Sequence, residues 1–276
     1  MLYSYLLTCP ICTTQLAQTN NTLICANAHT FDIAREGYVN LLRKPLPGDT
    51  KEMLAARRSF LERGSYQPLS DTLNQLASTY LAASTSPTCI LDAGCGEGYY
   101  LGRLQQFLTN RPLQCVGLDI SKEAIRLAAR RYKQACFVVA NLKEQLVLAN
   151  SALHMILNIF APRNPAEFAR VLVPGGLLLV AIPAPEHLLQ LRSALHLLNI
   201  EEHKQEKIRE QFAAHFDFVT ASDLSYTLHL SYAEIVQAVM MTPNYWHLSA
   251  EQRATMKGME SVETTVAFTC LVFRRR

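Results

Sequence analysis

Residues 90–100 of this 276-residue chain read I-L-D-A-G-C-G-E-G-Y-Y, a stretch dense in groups that can hold a small molecule. An apolar run ends in Asp92, and Gly94, Gly96 and Gly98 then turn the chain into a helical pattern. Glycines let the backbone approach a ligand closely, because no Cβ intervenes. A dinucleotide loop spaces its glycines G-x-G-x-x-G and seats a pyrophosphate on a helix N-terminus. Here the third glycine comes one residue early, and Glu97 sets a carboxylate where a pyrophosphate would be repelled. The spacing D-x-G-x-G-x-G therefore fits S-adenosylmethionine better than a dinucleotide. Further on, V-G-L-D-I-S at 116–121 reads as a second short strand ending in Asp119. An acid there accepts hydrogen bonds from the ribose hydroxyls of a nucleoside. Ser121 also opens a helix, so capping is the competing role for this segment, and the two are compatible.

A second constellation lies near the amino terminus. Cys9-Pro10-Ile11-Cys12 is a C-x-x-C knuckle, and Cys25 with His29 forms a second turn after it. Two thiolates on one turn take adjacent corners of a tetrahedron, and the second turn supplies the other two. A Cys3His set leaves no open position, so the zinc it implies is structural. Between the knuckles the large apolar residues are few, chiefly Leu16, Leu23 and Ile24, so the metal's binding energy is needed for folding. A redox C-x-x-C is the alternative, but that motif opens a helix after a strand, and this one sits among polar turn residues. The other five cysteines, at 89, 95, 115, 136 and 270, lie in apolar segments and read as small buried hydrophobes.

These residues need a scaffold to position them. The chain is 49% hydrophobic, enough for a substantial core. Its net charge of only +3 excludes a global basic field. Local basic clusters exist at Arg57-Arg58, at Arg126, Arg130, Arg131 and Lys133, and at 274–276; each can face phosphate or simply be a solvated helix face. No apolar run is long enough for a membrane span, and the first seven residues lack the basic flank of a signal peptide. A cytoplasmic protein with no membrane partner is expected.

Apolar periodicity predicts a helix over 50–63 stopped by Gly64, and another opened by Tyr66-Gln67-Pro68. A loop is expected over 83–87. Strands are predicted at 88–92, 114–119, 135–140, 153–160 and 176–182, nearly all apolar as for strands covered on both faces. The turn 174–176 feeds the fifth. Segments 224–230 and 262–273 alternate and suit a terminal antiparallel pair. Strands alternating with helices imply a doubly wound α/β sheet with its ligand at the carboxyl ends of the strands.

Taken together, these residues resemble the class I methyltransferases, and more closely the 23S rRNA (guanine-N1)-methyltransferase family. The likeness rests on C-P-x-C…C…H, then F-D-I-A-R-E-G-Y-V-N-L-L at 31–42, A-R-R-S-F-L at 56–61 and G-S-Y-Q-P-L at 64–69. It continues through the glycine loop, I-F-A-P at 159–162, V-P-G-G at 173–176 and P-E-H-L at 185–188. It implies a Rossmann-like, seven-stranded doubly wound methyltransferase sheet with a small zinc-ribbon-like module. The expected division is a zinc module over 1–35, a connector and helical segment over 36–87, and a methyltransferase domain over 88–276. The resemblance further implies that Tyr66, Gly96, Glu97 and His187 contact S-adenosylmethionine, beside Asp92, Gly94 and Asp119 from the general pattern. It also implies that the zinc module recognises RNA and that the protein works as a homodimer on 23S rRNA. Two departures stand out. His154 occupies a place where an acid is usual, and the segment 140–148 lacks the family's L-P-F, leaving Asn141 as the candidate adenine contact.

The implied chemistry is methyl transfer to guanine N1. Asn158-Ile159-Phe160-Ala161-Pro162 departs from the N-P-P-Y loop of adenine-amino methyltransferases. Asn158 is a candidate to hydrogen-bond a flipped guanine and Phe160 to stack on it, against packing of Phe160 in the core. No general base is identifiable. The rival reading is methylation of a small molecule such as a quinone precursor or phenol, which leaves the zinc module without a task. A non-catalytic RNA-binding protein is a third reading, and the complete set of Asp92, three glycines and Asp119 speaks against it.

Overall fold

The computed structural model describes residues 3–81, 86–198, 200–242, 245 and 247–276. Met1, Leu2 and residues 83–85 of the predicted loop lie outside them. A short 3-10 turn at Ser4–Leu6 precedes three antiparallel strands, β1 (Leu16–Thr19), β2 (Thr22–Cys25) and β3 (Thr30–Asp32). After β4 (Val39–Asn40), helices α1 (Lys51–Glu62) and α2 (Gln67–Tyr80) form where the apolar period predicts them. The Thr50 side chain caps α1 by accepting from Met53 N–H, and Pro68 falls in the first turn of α2, where its missing N–H costs nothing.

The alternating core then follows: β5 (Thr88–Ala93), α3 (Tyr99–Phe107), β6 (Leu113–Asp119), α4 (Lys122–Arg131), β7 (Ala135–Val139), β8 (Leu153–Ile159), α5 (Pro165–Val171) and β9 (Leu172–Pro183). Helices α6 (Leu189–Ala194) and α7 (Lys204–Phe212) lead to β10 (Phe216–Ser231). Helices α8 (Tyr232–Met240) and α9 (Ala250–Lys257) precede β11 (Ser261–Arg275). One sheet runs β10-β11-β9-β8-β5-β6-β7-β4, parallel from β9 to β4, with β11 and β10 antiparallel.

Seven of these strands are those expected, and the connector adds β4 as an eighth. Two residues are too few to show a period, so only pairing with β7 reveals it. The fifth core strand starts earlier than predicted, because the turn at 174–176 is absorbed into β9. Gly175 has φ +74, and the pairing with β8 slips from Leu153–Leu172 to Met155–Leu177 across it, a glycine-centred irregularity within a continuous strand.

Both sheet faces are covered. Along β5, Ile90 packs with Leu69, Leu101 and Ile125, whereas Leu91 belongs to the opposite layer with Phe168 and Phe212. That second layer also takes in Leu7, Leu16 and Leu23 from the amino-terminal module. Leu7 bridges Leu148, and the amides of Thr8 and Ala149 bond across the same seam. The module thus rests its sparse apolar residues on the large domain's core. Among the described residues, no helix is long and apolar enough to cross a membrane.

Candidate active site

A cleft of about 750 Å³ opens at the carboxyl ends of the parallel strands. One wall is the glycine loop. The amides of Gly94 and Cys95 both donate to Leu118 O, at 2.8 and 3.0 Å, which anchors the loop on β6. Gly94, Gly96 and Gly98 have φ of +90, +52 and +80, conformations that L side chains disfavour. A Cβ on Gly94 would sit 2.3 Å from that of Ala161, so the loop needs glycine for space as well as for φ. Asp119 Oδ2 accepts from Gly96 N–H and Oδ1 from Ser121 N–H, each at 2.8 Å. Ser121 meanwhile caps α4 through Ala124 N–H. Each Asp119 oxygen keeps a further lone pair, so capping and ribose binding remain compatible. Buried Glu97 accepts a bidentate pair from Arg58, Nε to Oε1 at 2.8 Å and Nη2 to Oε2 at 3.1 Å.

Tyr66 and His187 also line the cleft, from the start of α2 and the segment after β9. Their Oη and Nε2 lie 3.1 Å apart. Ala267 N–H donates to His187 Nδ1 at 3.4 Å, which assigns the remaining ring proton to Nε2. Nε2–H then donates to Tyr66 Oη, and the tyrosine keeps its own proton for a ligand. Burial pulls the imidazole down to about 3, helped by nearby Arg192, so the ring is neutral. Burial likewise raises the Tyr66 phenol, which stays protonated.

The turn after β8, which adjoins the glycine loop through Ala161, has another character. Phe160, at the carboxyl end of β8, is 46% exposed with φ +53, an uncommon state for a bulky residue. It is therefore not packed into the core. Its ring stands 6.5 Å from that of Tyr66 and 5.4 Å from that of Phe268. Arg163, Arg192 and Lys204 also line the cleft.

Outside the cleft, Cys9, Cys12, Cys25 and His29 bring one ligand atom each to within 4.8 Å of the others. Cys12 and Cys25 sulfurs are 3.6 Å apart, and His29 Nδ1 lies 3.6 Å from Cys9 Sγ and 3.4 Å from Cys25 Sγ. Tetrahedral zinc with ~2.3 Å Zn–S and ~2.0 Å Zn–N bonds has edges of ~3.5–3.8 Å. The donor set fits that ion with no corner left over. Left-handed residues just inside each turn, Thr13 at φ +61 and Ala28 at φ +62, aim the ligands. A hydrogen bond from the Thr14 hydroxyl lowers the Cys12 thiol to about 5, favouring the thiolate a metal requires.

A family model described as "RlmA, N-terminal", a zinc ribbon, matches residues 7–51, and a "Methyltransferase domain" model matches residues 90–176. The chain is 42% identical to the 23S rRNA (guanine(748)-N(1))-methyltransferase of Streptomyces fradiae, covering 95% of each protein. The chain belongs to the 23S rRNA (guanine-N1)-methyltransferase family. A Micromonospora griseorubida protein provisionally named for guanine-N(1) methylation of 23S rRNA is 35% identical, over 98% of this chain and 97% of its own. Among solved structures, the MccD protein superposes with a TM-score of 0.52 at 12% identity, over 76% of this chain and 98% of its own. That likeness concerns the fold alone.

Within this methyltransferase, Tyr66, Gly94, Gly96, Glu97, Asp119, Phe160 and His187 come together on the cleft. Asp92 and Asn158 do not line it. Asp92 is 1% exposed behind the loop, with Oδ2 unpartnered among the described residues. Burial, and then Asp119, push its carboxyl up to about 8. Asn158, fully buried, donates to Ala93 O at 3.2 Å and Pro162 O at 3.0 Å, tying the glycine loop to the turn after β8. Asn141 lines a separate cavity beside the metal module, and its amide donates to Glu144. His154 accepts from Cys89 N–H at the far end of the sheet.

The basic clusters are internally engaged. Arg126 pairs with Glu123, Arg130 with Glu36, Arg131 with Glu62 and Arg57 with Asp49. Arg274 and Arg275 donate to backbone carbonyls, and Arg276 pairs with Asp217. The roles of five contributors escaped the sequence reading. Arg58 grips Glu97, half-buried Tyr100 lines the cleft with a buried hydroxyl unpartnered among the described residues, and Arg163, Arg192 and Lys204 reach the cleft from separate segments. Arg58 stands in the sequence as part of a basic cluster and of A-R-R-S-F-L, and Tyr100 as the end of the glycine-loop run, but neither spacing indicates these roles.

Proposed function

We propose that this chain transfers a methyl group from S-adenosylmethionine to N1 of a guanine in 23S rRNA, with a structural zinc shaping the module that engages the RNA. The carrying observation is that the 42% identical relative is matched over 95% of both chains, metal module and catalytic domain together. Support for the cofactor comes from the loop with no room for a Cβ at Gly94 and the orphaned carboxyl oxygen of Asp92 behind it. We assign Tyr66, Asp92, Gly94, Gly96, Glu97, Asp119 and His187 to holding it, and Cys9, Cys12, Cys25 and His29 to the zinc.

When bound, S-adenosylmethionine supplies a methyl carbon activated by a positive sulfur. The chain's part is to place the nucleophile in line with the bond that breaks, which is mostly positioning. Asp119 holds the ribose with lone pairs left over from its two amide partners. Tyr66, fixed by the His187 Nε2–H, offers its hydroxyl proton to a ligand. Phe160 presents a ring face on which an extruded guanine stacks. Asn158 acts on that base at one remove, by fixing the turn that carries Phe160. The N1 proton does not go to His187, whose Nδ1 accepts from Ala267 N–H and whose Nε2 carries the other ring proton.

We divide the chain at 1–35, 36–87 and 88–276, a division supported by the confinement of all four metal ligands to the first segment. Homodimerisation and a cytoplasmic setting rest on the family resemblance alone. The test incubates the protein with labelled S-adenosylmethionine and protein-free 23S rRNA from a strain lacking the modification. Label in N1-methylguanine is expected, and the guanine 748 in the Streptomyces relative's name makes that position the first to map. Label in another nucleoside, or none with cofactor binding intact, overturns the reading.

A further inference from the structure

Positive charge on this molecule is paired almost everywhere it clusters, and the cleft is where that pattern breaks. Arg163 follows Phe160 by three residues and is only part-exposed. Its one hydrogen bond among the described residues runs from Nε to Gln211 Oε1 at 3.3 Å, which holds it against α7. Lys204 opens the same helix and has no hydrogen bond or ion pair among the described residues. Arg192, on α6, is 8% exposed. It donates to the carbonyls of Pro185 and Leu198, and its Nε has no partner. None of the three forms an ion pair with a carboxylate among the described residues; all three line the cleft, Arg163 three residues beyond Phe160 and beside Lys204, and Arg192 beside His187.

We infer that Arg163, Lys204 and Arg192 form an oxyanion clamp that takes the RNA phosphate flanking the guanine stacked on Phe160. This rests on the RNA-methyltransferase reading above. Arg163 and Lys204, set close together with no ion pair among the described residues, repel one another and are partly desolvated, a cost that a folded protein retains where an anion arrives. The direction of their ionisation agrees. Burial depresses the Arg163 guanidinium, and burial with repulsion from Arg163 depresses the Lys204 ammonium, with Glu201 opposing. Phosphate would reverse both. The planar fork of Arg163 suits two phosphate oxygens at once, while Lys204 acts as a point charge. Arg192 is held by carbonyls through its terminal nitrogens, so it lends fixed positive charge to the cleft from beside His187. Aromatic face and phosphate clamp in one cleft would recognise the two parts of one nucleotide, base and backbone.

The same charge could instead serve the carboxylate of the cofactor's methionine portion, and the test separates the two. Binding of protein-free, unmodified 23S rRNA is measured by filter retention across a series of KCl concentrations, for the wild type, R163Q, K204Q and the double variant. Cofactor affinity is measured separately by calorimetry. Each single variant is expected to weaken RNA binding ~3–10-fold and to flatten the salt slope by about 0.7–0.9, one phosphate contact's worth. K204R should retain the wild-type slope, and R276Q, on the Asp217 pair, serves as the control. Cofactor affinity should not move. Lys204 is free of hydrogen bonds among the described residues, so K204Q keeps the test open should R163Q fold poorly. Unchanged RNA affinity and slope in K204Q and the double variant overturn the clamp. So does lost cofactor affinity with the RNA slope intact, which would assign the cations to the methionine carboxylate. If the wild type itself methylates no rRNA, the functional reading falls and the clamp with it. An active wild type with unchanged variants removes the clamp alone.

Discussion

The two walls of the cleft solve the problem of charge in opposite ways. On the glycine-loop wall, both Asp119 oxygens accept backbone amides, Glu97 is gripped by Arg58, and His187 is neutral between Tyr66 and Ala267. On the Phe160 wall, Arg163 and Lys204 carry charge without a carboxylate, beside an exposed ring held at positive φ. The first wall is oriented by the protein's own hydrogen bonds, which leave the Tyr66 proton and spare Asp119 lone pairs for a small ligand. The second is completed only by what binds to it. On the proposed assignment, pre-organisation belongs to the cofactor side, and the acceptor side keeps its electrostatics open for a large polyanion.

If that contrast is real, variants on one wall should leave the other ligand's affinity alone. The largest effect is expected from Gly94→Val. A branched side chain at φ +90, pressed on Ala161, should cost ~2–5 kcal/mol and abolish measurable cofactor binding by calorimetry. Retained cofactor affinity would show that the loop is not the binding wall. Phe160→Ala comes next. It should lower RNA affinity or turnover by ~1–3 kcal/mol, a stacked base's worth, while thermal unfolding and cofactor affinity stay near wild type. A fall in cofactor affinity of the same size would merge the two walls.

Tyr66→Phe should weaken cofactor binding by ~1–2 kcal/mol, because it removes a donor and leaves the His187 Nε2–H buried without its acceptor. RNA retention should not change. The smallest effect is a slope. With a folded-state pKa of about 3 against the ordinary 6.5, His187 is neutral in the fold and protonates first in the unfolded chain. Its contribution to stability is present above 6.5 and is lost as pH falls toward 3, at up to ~1.4 kcal/mol per pH unit. Asp92, raised from 3.8 to about 8, is protonated in the fold, so its contribution is lost as pH rises through that window. The two trends oppose each other between pH 4 and 6.5, roughly the overlap of their titrations. Only the difference between wild type and His187→Asn in denaturant unfolding isolates the histidine, and equal slopes would contradict its buried neutral state.

The contrast also governs how much could be read before the fold was known. Strand ends, loop glycines and Asp119 sit within thirty residues of one another and follow the local chemistry of a turn, so that wall was legible. The metal ligands were legible for the same reason, because knuckle spacing is itself the geometry. The cations of the cleft have no such grammar. Arg163, Arg192 and Lys204 come from three segments, and their significance is a missing partner, which no spacing can express. The basic clusters mislead in the complementary sense, since Arg130 and Glu36 lie 94 positions apart and meet only in the fold. Asn158 was recognised as important, yet burial gives its amide to two backbone carbonyls rather than to the cleft.

The two-residue strand β4 closes one rim of the main sheet. It pairs Val39 and Asn40 with Val138 and Val139 of β7, a strand whose five residues are all buried. Without it, β7 would present a row of unsatisfied amides and carbonyls on an apolar strand, a template for pairing with another molecule. The connector between the metal module and the catalytic domain thus doubles as an aggregation guard. A catalytic domain cut free of its first fifty residues would expose the β7 edge and also lose Pro47, Gly48 and Asp49 from the cleft, so colloidal instability would accompany an altered site.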